Sequence, residues 1–533
     1  MIFTLHRYIF RELFKVFLLS AVALTLILTL GSILRPIQEY GVGPRQVVHL
    51  MGYFLPIFLT FVLPMAALFA GTLVYGRFAG DNELDACRAG GVGMLTLIYP
   101  GLALAVMVAI ANLMLSFHVM PAFVRRAERA LKADAKQIIF RNIQRRGYYE
   151  LKDGGYLIYA DHADPQENIL SGVIVTQLDE SRIREITVAE NAKVNFDPHK
   201  NFNQVRITAY NTYQMSPDEQ GGFSAEWIPV TAPFPSLLGD EIKFKKLDEM
   251  KKIRLDLTEF YPINKKAGDV YAQFTTELLA QNIEEEISSE PGSFYKLLGE
   301  PNSVEFTAGS CSVLQEEKVL LSGGVFAAEF DTDTGQTLRT LTAEKAFLHI
   351  EGDKFAPTLT LDIYHPTWRH PDGTDGLAQR HIIRGLLLPN SITNMSETND
   401  VLETIKPEAV SAALHNNPGL RLSNLQKELA REISKTLTEI KAEMHSRLVF
   451  GIGCVPMIII GIGLGIILKG GHPLAAFGVS CIPAAVLIVG ILTGRNLTKN
   501  PAAPADSGVI MMWAALAFLG LLAITIHRRL LKT

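Results

Sequence analysis

The chain has 533 residues, 48% hydrophobic and 20% charged, and carries a formal net charge of −4. Without a polybasic run, this balance excludes the electrostatic footprint of a nucleic-acid binder. Four cysteines with no CxxC spacing exclude a cysteine-built metal site, and the lone Cys311 of the polar middle region excludes a disulfide framework there.

In chain order, the first apolar run is Leu13–Leu34, with Arg7 and Arg11 before it and Lys15 at its start. It is too long for a signal peptide, and Arg35-Pro36 stands where a small-residue cleavage site would be, so it reads as an uncleaved span. Further spans are expected at Gly52–Tyr75 and Leu97–Phe117 and, after a long polar interval, at Leu448–Leu468, Leu474–Thr493 and Gly508–Ile526. Leu448–Leu468 carries no charge and matches the hydrocarbon thickness. At roughly −0.3 to −0.6 kcal/mol per Leu, Ile, Val or Phe, its insertion is favoured despite Pro456 and the glycines. Six alternating spans put Arg7, Arg11, Lys15, Arg77, Arg88, Lys469, Arg528, Arg529 and Lys532 on one side, which the positive-inside bias makes the cytoplasm. Arg35, Arg45, Arg495 and Lys499 fall on the other side. Both termini are then cytoplasmic and the polar interval is extracytoplasmic.

Between spans two and three, about 77–92, the sequence runs Arg77-Phe-Ala-Gly-Asp81-Asn-Glu83-Leu-Asp-Ala-Cys-Arg88-Ala-Gly-Gly91. It reads as a turn and a short helix. Asp81 is placed to cap that helix, and Glu83 and Asp85 occupy its first turn, where the helix dipole favours negative charge. A solvated connector would account for these charges. The small residues Ala86, Ala89, Gly90 and Gly91 beside a protruding carboxylate also suit docking into a groove on another protein.

The region 119–420 is soluble in character. A charged helix is expected from Pro121 to about Arg146. Strand signals follow at Tyr148–Glu150, then Tyr156–Tyr159 after the turn Asp153-Gly154-Gly155, and continue through Gly172–Thr176, Ile186–Ala189, Val194–Phe196 and Val205–Ala209. From 216 to 303 the pattern breaks into a connector or insertion with a helix near Phe274–Ile287. Alternation resumes over 304–390 and is strongest at Thr358–Tyr364. Short strands with Gly, Asn and Asp turns fit a sandwich or jelly roll rather than an α/β fold. The blocks 147–215 and 304–390 are either two halves of one sheet system or two β-domains. Over 421–447, Leu422, Leu425, Leu429, Ile433, Leu437, Ile440 and Met444 recur at helical spacing and run into the fourth span. This amphipathic helix either lies against the domain or the bilayer surface, or acts as a lever between domain and bundle.

Catalytic constellations are missing. There is no P-loop lysine, no HExxH and no GxSxG. Asp331-Thr-Asp333-Thr-Gly335 has glycine where a calcium loop needs an oxygen ligand and reads as a turn. His365 and His370 flank Trp368 as surface residues. Gly461, Gly463 and Gly465 suit close helix packing in a bilayer.

The Leu63-Pro64 second span, Glu83-Leu84 with Ala89 and Gly91 behind it, Tyr156-Leu-Ile-Tyr-Ala160, Leu170-Ser-Gly-Val173 and Glu443-Met-His445-Ser-Arg447 occur in an ordered combination. In that combination the chain resembles the LptF/LptG (YjgP/YjgQ) family, the membrane subunits of the lipopolysaccharide exporter. The resemblance implies a polytopic α-helical membrane protein of six transmembrane helices (1–118 and 448–533) with a large periplasmic all-β jelly-roll-like domain. It implies a permease that is not itself an enzyme and has no cofactor, ATP being bound by a partner subunit. The partners implied are a cytoplasmic ABC ATPase dimer, a second LptF/LptG-type permease and periplasmic LptC/LptA-like β-jelly-roll proteins, with a lipid as cargo. Glu83 matches the family's acidic coupling position, with Arg77, Asp81 and Arg88 as neighbouring candidates. Arg35 and Arg45 are candidates for lipid headgroups, against ordinary interfacial anchoring. The block 304–365, through Leu321-Ser-Gly-Gly-Val325 and Leu341-Thr-Ala-Glu-Lys-Ala346, resembles the OstA-like β-units of the periplasmic bridge. A force-transmitting permease or a membrane-anchored envelope scaffold that carries no lipid is the alternative reading.

Overall fold

The computed structural model describes residues 2–532 apart from 41–43, 134, 152–154, 180–181, 200–201, 216–221, 234–240, 290–292, 315–317, 333, 354–355, 397–400, 416, 469–472, 501–502 and 505; for some others, 30–51 among them, it describes the backbone alone. The turn at Asp153-Gly154, Asp333 and Lys469 thus lie outside the described residues. The chain divides into two compact units, Met1–Lys251 with Lys435–Thr533, and Lys252–Ser434.

Among the described residues, six helices are long and apolar enough to cross a membrane, their spans lying in the first unit. They lie in α1 (Ile2–Tyr40), α2 (Pro44–Gly80), α4 (Met94–Met114, continued by a π turn at Leu115–Val119 into α5, Met120–Ala133), α12 (Leu420–Ile467), α13 (Pro473–Lys499) and α14 (Ser507–Lys532). The six expected spans match these helices. One apolar cluster joins α1, α2, α4 and α12 through Leu13, Phe17, Ala66, Ala70, Leu104, Val108 and Ile458. A second joins α12, α13 and α14 through Met457, Ile460, Leu487, Met512 and Leu519.

The expected glycine packing is present, and the glycines divide between two neighbours. A Cβ on Gly465 would stand 2.5 Å from the Thr72 carbonyl oxygen, and one on Gly461 would stand 2.7 Å from Leu68 Cδ1, both on α2. Gly463 instead faces Ile526 of α14. Small residues four apart therefore let the main chains of α2 and α12 touch, the way helices gain contact where burial itself supplies no drive.

The first unit also holds a six-stranded antiparallel sheet in simple chain order: β1 (Tyr148–Leu151), β2 (Tyr156–Asp164), β3 (Ile169–Asp179), β4 (Arg182–His199), β5 (Phe202–Met215) and β6 (Gly222–Pro233). Its inward residues, among them Ile158, Val173, Val175, Val194 and Ile207, form a core with Ile139, Phe140 and Ile143 of α6 (Ala135–Arg146). The separate signals at Ile186–Ala189 and Val194–Phe196 belong to the one strand β4. The stretch 216–303, expected to be a connector, contains β6, α7 (Leu247–Leu255) and α8 (Tyr261–Ser289). Pro229 and Pro233 obscured β6, which is an edge strand, where proline is tolerated.

The second unit carries a nine-stranded antiparallel sheet, β7 (Tyr295–Leu297), β8 (Asn302–Thr307), β9 (Ser310–Leu314), β10 (Lys318–Asp331), β11 (Thr337–Asp353), β12 (Ala356–Tyr364), β13 (Thr367–Arg369), β14 (Asp375–Leu377) and β15 (Arg380–Leu387). The two β-blocks are thus separate sheets. Gly323 and Gly324, both at positive φ, form the corner at which β10 leaves β9 and takes up β8. That bulge is the Leu321-Ser-Gly-Gly-Val325 motif, and only glycine adopts such a conformation without strain. Asp331 closes the following turn by accepting from the backbone N–H and hydroxyl of Thr334, 2.8 Å each. Short helices α9 (Asn390–Ser396), α10 (Val401–Thr404) and α11 (Pro407–Ala413) lead to α12, which is continuous over 48 residues from the amphipathic stretch into the membrane span.

Candidate functional site

Two places in the first unit concentrate charge. The first is the connector after α2. Helix α3 (Glu83–Ala89) is held by Leu84, 4% exposed in the cluster with Phe78 and Leu97, with Cys87 packed beside it. Asp81, Glu83, Asp85, Ala86, Arg88 and Ala89 are exposed. The helix thus sits on one leucine and projects its acidic first turn and small residues outward.

Asp81 does not cap this helix. Its N–H still bonds to the Arg77 carbonyl at 2.8 Å, and Asn82 N–H bonds to Ala79, so both N–H groups are tied back to the last turn of α2. Asn82 stands at the cap position in the left-handed conformation, φ 56°, with no side-chain cap bond. The reason is local: Asn tolerates this conformation, and Gly80-Asp81 lets α2 unwind only at the next residue. Arg77, in the last turn of α2, pairs with Glu12 of α1 at 3.4 Å, and Glu12 also pairs with Lys15 at 2.8 Å. At this same end, His6 contacts the Thr96 carbonyl at 2.9 Å and Tyr75 donates to the Leu97 carbonyl at 2.9 Å. The structure therefore brings Arg77 to α1 and sets Asp81, Glu83 and Arg88 along one exposed connector. Arg35 lies in α1 and Arg45 in α2, but their side chains are outside the described residues.

The second place is at the opposite end of the spans, and only its motif was visible in the sequence. The Arg447 side chain is 3% exposed and Glu443 7%. Arg447 Nε donates to Glu443 Oε1 at 2.9 Å, Nη1 to the carbonyls of Ser116 (3.1 Å) and Lys245 (3.2 Å), and Nη2 to that of Lys243 (2.7 Å). Its guanidinium lies over the Phe117 ring at 5.7 Å. The other Glu443 oxygen pairs with Arg495 at 2.7 Å. The π turn explains why Ser116 is available. Met120 N–H reaches back to Leu115, and Pro121 has no N–H, so the Ser116 carbonyl is left without a helical donor until Arg447 supplies one. Beyond it, Glu439 pairs with Lys499 at 2.9 Å and Lys441 with Asp506. Glu439 and Glu443 thus match Lys499 and Arg495, four apart on each of two antiparallel helices. The sequence signal for this cluster was an i, i+4 carboxylate–arginine pair at the mouth of an apolar run. Its partners at 116, 243, 245 and 495 are too distant in the chain to be read.

No group of three or more His, Cys, Asp or Glu side chains could hold a metal ion among the described residues. His370 Nδ1 is instead engaged with the Leu338 carbonyl at 2.8 Å.

Six apolar helices among the described residues, an exposed connector between the second and third, and a large β-region define a multi-pass membrane protein. The model of the lipopolysaccharide export system permease LptF/LptG family matches residues 7–262 and 306–529, and the chain belongs to that family. It is a multi-pass inner-membrane protein with a role in lipopolysaccharide export. No individual curated protein matches it.

Proposed function

We propose that this chain is a permease subunit of an ATP-driven exporter that lifts lipopolysaccharide or a similar amphiphile from the inner membrane and passes it into a periplasmic β-domain toward the outer membrane. ATP is bound and hydrolysed by a cytoplasmic ABC ATPase dimer, and a second LptF/LptG-type permease completes the bundle. LptC/LptA-like proteins receive the lipid by adding strands to an open sheet edge. The observation that carries this reading is α3: a short helix seated on the buried Leu84, with Glu83 and its small residues turned outward between two spans. Such a helix fits a groove on a partner, and movement of that partner would reach α2 and α4 directly. Arg77, Asp81 and Arg88 border the same surface. On the other side of the membrane, Arg35 and Arg45 meet lipid headgroups.

The test is Glu83→Lys in the full complex. Membrane insertion and folding are expected to persist while ATP-driven lipid release is lost. Normal release in this variant would overturn the role of α3. Purification from native membranes in mild detergent is expected to recover an ATPase in stoichiometric amount; its absence would turn the reading toward an envelope scaffold.

A further inference from the structure

The family match leaves out residues 263–305, and that stretch contributes most of α8 together with β7. Helix α8 is unlike a surface helix. Residues 270–276 are buried without interruption, followed by Leu278, Leu279 and Ala280. At 3.6 residues per turn, no face of the helix meets water over almost two turns.

The strand register shows which side of the second sheet α8 covers. Cys311 Sγ of β9 donates to the Ala280 carbonyl at 3.7 Å, and Tyr295 of β7 donates its hydroxyl to Asn282 at 2.6 Å. Cys311 lies opposite Leu321, which lies opposite Ala346, which lies opposite Ile363. Leu321, Ala346 and Ile363 are at most 1% exposed. The apolar inward row of the sheet therefore begins at α8. It ends at His381, opposite Ile363, whose ring meets Glu329 at 3.1 Å. Glu329 also accepts from Asn302 at 2.6 Å and pairs with Arg339 at 3.0 Å. The interior is thus taken up by a helix at one end and closed by a charge cluster at the other.

The same helix grips the start of α12. Glu277 accepts from Gly419 N–H at 2.9 Å, Gln281 from His415 N–H at 2.9 Å, and Lys266 pairs with Glu428 at 3.0 Å.

We propose that α8 is a permanent filling of the second β-unit: it holds the place that an acyl chain of the cargo would take, so that the lipid passes along the first sheet only, and the second unit is a solid arm fixed to the N-terminal end of α12. This rests on the lipid-carrying function proposed above. A helix covered on every side cannot leave without exposing its own apolar surface and that of the sheet, whereas a lipid chain in a groove replaces water alone.

The test places a photoreactive residue either at Ile207 of the first sheet or at Leu348 of the second, in the full chain within its membrane complex and with lipopolysaccharide as the probe. Lipid adduct is expected from Ile207 and none above background from Leu348. Adduct from both positions overturns the filling while leaving the lipid-carrying function standing; none from Ile207 overturns that function and this inference with it. Because a bulky probe at Leu348 could disturb folding, amide hydrogen exchange over residues 270–280 of the unsubstituted chain in its membrane complex is also followed with and without lipopolysaccharide. Unchanged protection of these buried residues is expected. Loss of protection on adding lipopolysaccharide would overturn the proposal.

Discussion

The guanidinium of Arg447 donates to the main-chain carbonyl of Lys243 across 2.7 Å, joining a membrane span to a segment some two hundred positions earlier in the chain. Lys243 lies in a short 3-10 turn, Ile242–Phe244, whose Ile242 is buried. A main-chain acceptor cannot be lost by substitution at position 243, so the joint depends on the arginine alone. Removing Arg447 would also leave Glu443 with Arg495 as its remaining ionic partner in a site closed to water. Arg447→Ala is therefore expected to cost about 3–5 kcal/mol, as for one broken partner of a buried pair. Arg447→Lys should recover only part of this, since an ammonium lacks the planar fork that serves Glu443 and three carbonyls together. Thermal unfolding of the detergent-purified variants would check both, and an unchanged midpoint for the alanine variant would sink the assignment.

Leu84 is the one buried residue of α3. Leu84→Ala is expected to loosen that helix by about 2 kcal/mol, the lower end of leucine truncations. Cys87, half-buried against the same cluster, supplies the readout: its labelling by a water-soluble maleimide should speed up, with the rest of the bundle unchanged.

Gly465 has main chain where a side chain would go. Gly465→Ala is expected to cost about 1–3 kcal/mol through overpacking, because the Thr72 carbonyl cannot swing away. Alanine at Gly478, which has open space around it, should be silent by the same unfolding measurement.

Glu329 gives the second unit an acid sensitivity. Burial opposes its ionisation, but the His381 hydrogen bond, the Arg339 charge and the Asn302 hydrogen bond together hold its carboxyl below the usual glutamate range. A carboxyl whose value is lowered on folding stabilises the fold fully above its unfolded value of about 4.3, and this is lost as the pH falls through the lowered folded value. Glu329→Gln should therefore be less stable than the parent at neutral pH and lose less on acidification. Hydrogen exchange in β10 and β11, followed from neutral pH down to about pH 3, would show the two curves converging. Parallel curves would remove Glu329 as the cause.

Cys311 is held against α8, and burial pushes its thiol up to about 12. It should resist thiol reagents at neutral pH in the folded protein and react once the chain is unfolded. Mass spectrometry before and after denaturation decides this.

The membrane half of the fold was legible because hydropathy over about 20 residues needs no partner to be read. The seamless passage of α12 from amphipathic stretch to span was equally visible, since its apolar spacing continues through Leu437, Ile440 and Met444. Helix α8 was seen only in part, over 274–287, because a helix buried all round has no polar face and no period to detect. Strand β6 was lost to its prolines, and Asp81 was given a cap that geometry assigns to Asn82. At the site, the exposed acidic connector could be read from local sequence. The Arg447 joint, beyond its Glu443 pair, could not, because its distant acceptors are main-chain carbonyls, which every residue has.

The direct contact of α2 and α12 at Gly461 and Gly465 bears on how a push at the connector would travel. At Gly465 main chain stands against main chain, with no side chain to re-rotate and absorb a displacement, so the two helices would move together there. The first compliant point along α12 is then Pro456, whose missing N–H leaves the Ile452 carbonyl without its helical donor. Stiff below that residue and pliant at it, the span is built like a shaft with a single universal joint.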